Sequence, residues 1–196
     1  MGIYLNPENV DFQEVLNSKI YVDKSELIQY TNSVLRTTQK YICVSRPRRF
    51  GKSMAANMLT AYYSRGCDSR RLFQGLKIAT HPDFEKHLNQ YNVIHLNMQN
   101  FLSKTQTIEQ MIALVTKAVG RDLLRAYPDA DYLDKTILTF MLDDIYQDCQ
   151  VPFIFIIDEW DCIFRVKGED TEAQKLYLNF LRDLLKNQPY CILAYM

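Results

Sequence analysis

The stretch "PFIFIIDEWD", residues 152–161, constrains the fold more than any other in the chain. Residues 153–157 are apolar at every position, with no polar residue between them. A strand with one face in water alternates apolar and polar residues, so a continuous run belongs to a strand covered on both faces. That environment is typical of parallel sheets, whose crossover connections lay helices over both sides. Short β-rich runs at 40–45, 92–98 and 190–196 join it, separated by segments of helical period at 52–65, 108–127, 133–149 and 169–187. In the longest of these, Met111, Ile112, Val115, Val119 and Leu123 form an apolar face. Gly66 is placed to close the helix that begins at Lys52. Strands alternating with helices predict an α/β fold with a mainly parallel sheet. The organisation read from this is an N-terminal helical and extended segment, 1–39, packed on a core of 40–196. Within 1–39, short helices at 8–17 and 24–36 flank an extended piece that turns at Asp23-Lys24.

Charge and cysteine usage narrow the function classes. Lys+Arg and Asp+Glu cancel at 23 each, so no global basic field advertises nucleic-acid binding. The apolar run at 151–157 is far too short to span a bilayer, and the opening "MGIYLNPENVDF" has neither region of a signal peptide. Five scattered cysteines without a C-x-x-C pair predict free thiols and a cytoplasmic protein, with no zinc site. His81, His87 and His95 show no metal-ligand spacing.

Two motifs carry chemistry. "SRPRRFGKSM", residues 45–54, stands between a strand-like run and a helical segment. Its end matches that of the phosphate loop G-x-x-x-x-G-K-[ST], and the flanks are those the motif requires. Gly51 would let backbone amides approach phosphate oxygens, and the helix start offers unpaired N–H groups with a positive dipole end. Lys52 would reach the β- and γ-phosphates, and Ser53 would place its hydroxyl on Mg2+. The candidate nucleotide-contacting set is Arg48, Arg49, Phe50, Gly51, Lys52, Ser53 and Met54. Arg46 stands where the pattern opens with glycine, so the chain must leave the strand by another backbone route. Pro47 would stiffen that turn.

The second motif is the acidic end of the apolar run. Asp158 and Glu159 fall at the carboxyl tip of a buried strand, where ligands bind in open parallel sheets. Asp158 is the candidate metal-holding residue beside Ser53, and Glu159 the candidate base for an attacking water, with Lys52 as its catalytic partner. Asp161 reads as a helix cap or surface group.

Together, "RPRRFGKS" (46–53) and "DEWD" (158–161) resemble the AAA-ATPase-like family of bacterial and archaeal P-loop proteins. "YVDKSELI" (21–28) and "RRLFQGLKI" (70–78) extend the resemblance over nearly the whole chain. The missing first glycine is part of that family's own pattern. The resemblance implies a P-loop NTPase fold of three α/β/α layers, with the acidic strand separated from the phosphate-loop strand by another strand. It implies ATP and Mg2+ as ligands, and Mg-dependent ATP hydrolysis in the complete protein. Family members usually continue into a sensor position and a fifth strand, and many carry a PD-(D/E)XK nuclease-like domain. The chain therefore reads as truncated after its fourth core strand, with an unpaired sheet edge beside the phosphate-loop strand. Arg48 and Arg49 read three ways: contacts to phosphates in cis, contacts across the interface of an oligomer, or ion pairs with acidic side chains of the same domain. Two alternatives stand beside this reading. One is a nucleotide-regulated scaffold. The other is a nucleic-acid-binding module using "RPRR" with Lys40 and Phe50 on one loop.

Overall fold

The computed structural model describes residues 2–45 and 50–196. Arg46, Pro47, Arg48 and Arg49, and with them the expectations placed on three arginines, lie outside the described residues. Four parallel strands form one sheet: β1 (Tyr41–Ile42), β2 (Asn92–Asn97), β3 (Phe153–Asp158) and β4 (Cys191–Tyr195), in the order β1-β4-β3-β2. The acidic strand β3 is thus separated from β1 by β4.

Helices cover both faces. Between β1 and β2 the chain forms α3 (Lys52–Tyr63), α4 (Arg70–Phe73) and α5 (Phe84–His87), preceded in sequence by α1 (Val10–Leu16) and α2 (Glu26–Val34). Between β2 and β3 come α6 (Met98–Leu102), α7 (Ile108–Ala126) and α8 (Leu138–Cys149), and between β3 and β4 come α9 (Cys162–Val166) and α10 (Thr171–Leu185). The period-2 geometry of β3 divides the core. Ile154 and Ile156 face a cluster with Met58, Leu59, Tyr62 and Phe12. Phe153, Phe155 and Ile157 face the opposite cluster, with Met111, Val115, Leu142 and Leu184. All six residues of β3 are buried, as its unbroken apolar run requires.

One expectation holds and two need correction. The run 40–45 lies at the sheet edge, where the sequence reading placed an unpaired edge. Among the described residues it pairs only with β4, and its regular part is two residues long. Tyr41 is 37% exposed and Cys43 is exposed, whereas Ile42 and Val44 pack on the α3 side. Backbone bonds still run along it, from Ala194 N to Lys40 O (2.9 Å), Met196 N to Ile42 O (2.9 Å) and Val44 N to Met196 O (2.7 Å). Helix α8 starts at Leu138 rather than near 133, because Asp134 Oδ1 accepts from Thr136 N (2.7 Å) and Oγ1 (2.6 Å), holding a turn that competes with helix. Helix α3 ends at Tyr63, before Gly66 is reached. Ser64 turns extended to bridge Tyr91, and its hydroxyl donates to Pro7 O at 3.1 Å, so tertiary pairing stops the helix.

The N-terminal residues are tied to the core through polar bonds. Asn6 Nδ2 donates to Asn92 Oδ1 (2.9 Å) while Asn6 Oδ1 accepts from Val93 N (2.7 Å). The buried carboxylate of Asp122 accepts from Tyr4 N at 2.7 Å. All five cysteines are free. No helix of the described residues is long and apolar enough to cross a membrane.

Candidate functional site

Because the strands are parallel, their carboxyl ends share one edge of the sheet, and α3 begins at that edge. Gly51 occupies the N-cap of α3 with φ +76°, ψ 30°, a left-handed conformation that favours glycine. A Cβ at Gly51 would stand 2.8 Å from Lys24 Nζ. Gly51 brings no side chain to cap the start of α3, so its first-turn amides and dipole are open to a ligand at that edge. Phe50 is exposed and Met54 lies on the same first turn, at the margin of exposure.

The two motifs meet. Ser53 Oγ donates to Asp158 Oδ2 at 2.6 Å, across 105 residues of sequence. Asp158 Oδ1 accepts from Glu159 N at 3.0 Å, so both carboxylate oxygens are oriented. A small cavity of about 10 Å³, space for about one water molecule, is lined by Lys52, Asp158, Glu159 and Trp160 with Val44 and Tyr195. Lys52 makes no hydrogen bond or ion pair among the described residues. The structure therefore brings Gly51, Lys52, Ser53, Asp158 and Glu159 together. Lys40 does not join them: it precedes β1 at the far end of the strand, where its Nζ donates to Cys191 O at 2.6 Å.

Glu159 adopts φ +52°, a left-handed conformation that costs a non-glycine residue about 1–3 kcal/mol. The bend turns the chain from β3 into α9, and Cys162 N closes it on Glu159 O at 3.0 Å. Arg165 of α9 holds the Glu159 carboxylate in an ion pair and contacts Asp161 Oδ1 at 2.6 Å. Burial alone would lower the Arg165 pKa, but the Glu159 and Asp161 carboxylates outweigh it and raise it. Asp161 sits at the N-cap position of α9, yet its carboxylate serves Arg165 rather than the helix amides. Trp160 is anchored by the buried Tyr177 of α10, whose hydroxyl donates to Trp160 O at 2.8 Å. Nearby, burial pushes the His95 imidazole below its ordinary pKa, against the opposing pull of Asp158 and Asp11.

Two residues that shape the site escaped the sequence reading. Lys24 Nζ donates to Phe50 O at 2.9 Å and so grips the loop just before Gly51. Its neighbours tie it down: Asp23 Oδ2 accepts from Lys77 N (2.9 Å), and Ser25 Oγ accepts from Ile78 N (3.2 Å). Burial pulls the Asp23 carboxyl upward, but the bonds from Lys77 and Ser25 prevail and hold it below its ordinary value. The stretches 21–28 and 70–78 thus bond to each other, and the first reaches the phosphate-loop motif. Arg165 is the second. Its i,i+4 spacing from Asp161 is visible in sequence, but its contact with Glu159 depends on the left-handed bend.

Fold and site together define a parallel α/β protein with a cleft at its strand ends, where Lys52 lines one cavity with two carboxylates. Residues 10–189 match the family described as predicted AAA-ATPase, and the chain belongs to that AAA-ATPase-like family. No curated protein and no solved structure matches the chain.

Proposed function

We propose that this chain is a P-loop NTPase domain that binds ATP with Mg2+, and that it hydrolyses ATP within the complete protein. The observation that carries the reading is the 2.6 Å bond from Ser53 to Asp158. It joins a Gly-Lys-Ser helix start to an acidic strand tip, the pairing that nucleotide hydrolysis needs. Family membership supports the same class of activity. In this reading 1–39 is a segment packed on the 40–196 core.

Each residue has a task set by its chemistry. The amides at the start of α3 and the Lys52 ammonium hold the β- and γ-phosphates. Gly51 keeps that approach clear, and Phe50 and Met54 border it. Arg48 and Arg49, just before the Gly-Lys-Ser motif in sequence, would add positive charge for the phosphates. Ser53 and Asp158 offer a hydroxyl and a carboxylate, hard oxygen donors that fit Mg2+ with water and phosphate oxygens completing its shell. The ion would neutralise phosphate charge there. Water attacks the γ-phosphorus as the bond to the ADP oxygen breaks, and the water proton passes to the Glu159 carboxylate. Before it can accept that proton, Glu159 must part from Arg165.

Titration of the protein with a fluorescent ATP analogue tests the reading. Lys52→Ala should weaken binding by about a hundredfold or more, the loss of a charge-assisted phosphate contact. Unchanged affinity in that variant would remove the assignment.

A further inference from the structure

A second feature lies on the opposite face of the sheet, away from the nucleotide cleft. Helix α7 buries Met111, Val115, Val119 and Leu123 in the core, but the adjoining stripe from Glu109 to Arg125 has no helix over it among the described residues. That stripe lines an open groove of about 860 Å³. Its floor is apolar: Ile112, Gly120 and Leu124 of α7, with Leu176 of α10. Gly120 is buried within it, and a Cβ there would reach only ordinary contact with Met141 Sδ, at 3.5 Å.

The rim carries concentrated positive charge. Lys117, Arg121 and Arg125 recur at every fourth residue of α7, so they stand one above another along one side. Lys135 adds a fourth cation from the loop before α8, and Glu109 is the one carboxylate on the lining among the described residues. Lys117, Arg125 and Lys135 make no ion pair among the described residues. Arg121 has only a 3.9 Å approach to Asp122, whose other oxygen is engaged by Tyr4 N. In a chain whose charges cancel overall, four cations around one apolar trough form a concentrated local field.

We propose that this groove docks an acidic amphipathic helix of a partner protein. Glutamates or aspartates spaced four residues apart would meet the α7 cations, and the apolar side would rest on Ile112, Leu124 and Leu176. Glu109 and Arg125 are 16 residues apart, about 24 Å along a helix, the length of a partner segment of about four turns. Nucleic acid fits less well, because the groove lining among the described residues includes no aromatic ring on which bases could stack. The proposal is independent of the nucleotide reading.

The test is fluorescence anisotropy with two labelled peptides of equal composition, one with a glutamate stripe running beside a leucine stripe along the helix and one scrambled. A single-stranded oligonucleotide of matching charge is the third probe. The striped peptide should bind about tenfold tighter than the scrambled one and weaken as salt rises. The double variant Lys117→Glu/Arg125→Glu, both exposed positions, should lose about tenfold toward the striped peptide alone. Equal binding of the two peptides would overturn the proposal without reference to any variant. So would preference for the oligonucleotide, or a concentration-dependent dimer that the double variant abolishes, which would assign the groove to a second copy of the chain.

Discussion

Strands β1 and β3 each deliver half of the candidate site, and they are built in opposite ways. β3 has neighbours on both sides, core on both faces and six buried residues ending in Asp158. β1 has two regular residues, a single partner among the described residues and one exposed face. The carboxylate side of the cleft is therefore positioned by the core itself. The loop side is positioned by contacts from elsewhere: Lys24 on Phe50 O, and Ser53 on Asp158. One half is held by packing and the other by a few polar bonds.

Truncation in the two strands should show the contrast most strongly. Phe155→Ala, in the middle of β3, should cost about 3–5 kcal/mol of unfolding free energy, as expected for a buried aromatic. Ile42→Ala, in half-buried β1, should cost about 1–2 kcal/mol on the same urea titration. Equal losses would mean that the edge strand is as much a part of the core as β3.

Lys24→Met separates loop placement from stability. Removing a charged donor from Phe50 O should weaken ATP binding by about tenfold, the worth of one charge-assisted bond. The urea midpoint should barely move, because Lys24 is exposed. An unaltered affinity would leave the loop without its brace from the N-terminal segment.

Much of this contrast was legible in the sequence, and the reasons for the rest are physical. The run 153–157 declares a doubly covered strand by its lack of alternation, and the α7 periodicity declares its buried face. The edge position of β1 was not legible in the run itself, because its one neighbour among the described residues, β4, follows about 150 residues later; it came from the family resemblance. The start of α8 was hidden for a local reason: the Asp134 turn competes with helix in a segment whose composition suits both. Gly51, Lys52, Ser53, Asp158 and Glu159 were legible as motifs, since their types and spacing match known sequence patterns. Lys24 was not, because a lysine that bonds a backbone carbonyl leaves no pattern of its own.

The smallest expected effect concerns the β3 side, where Arg165 engages Glu159. Arg165→Ala releases that carboxylate to accept the water proton, so ATP turnover should rise about threefold with KM unchanged. A fall in turnover would instead make Arg165 a group that positions Glu159 for the attacking water.

The central claim is that Ser53 and Asp158 form one metal-dependent nucleotide site from the two unlike halves. Calorimetric titration of ATP with and without Mg2+ tests it most directly, in the native protein, Ser53→Ala, Asp158→Asn and the double variant. The account predicts that Mg2+ tightens ATP about tenfold in the native protein, that either substitution removes most of this gain, and that the double variant loses no more than the worse single one. Full retention of the Mg2+ effect in both single variants, or no ATP binding by the native protein, would contradict it.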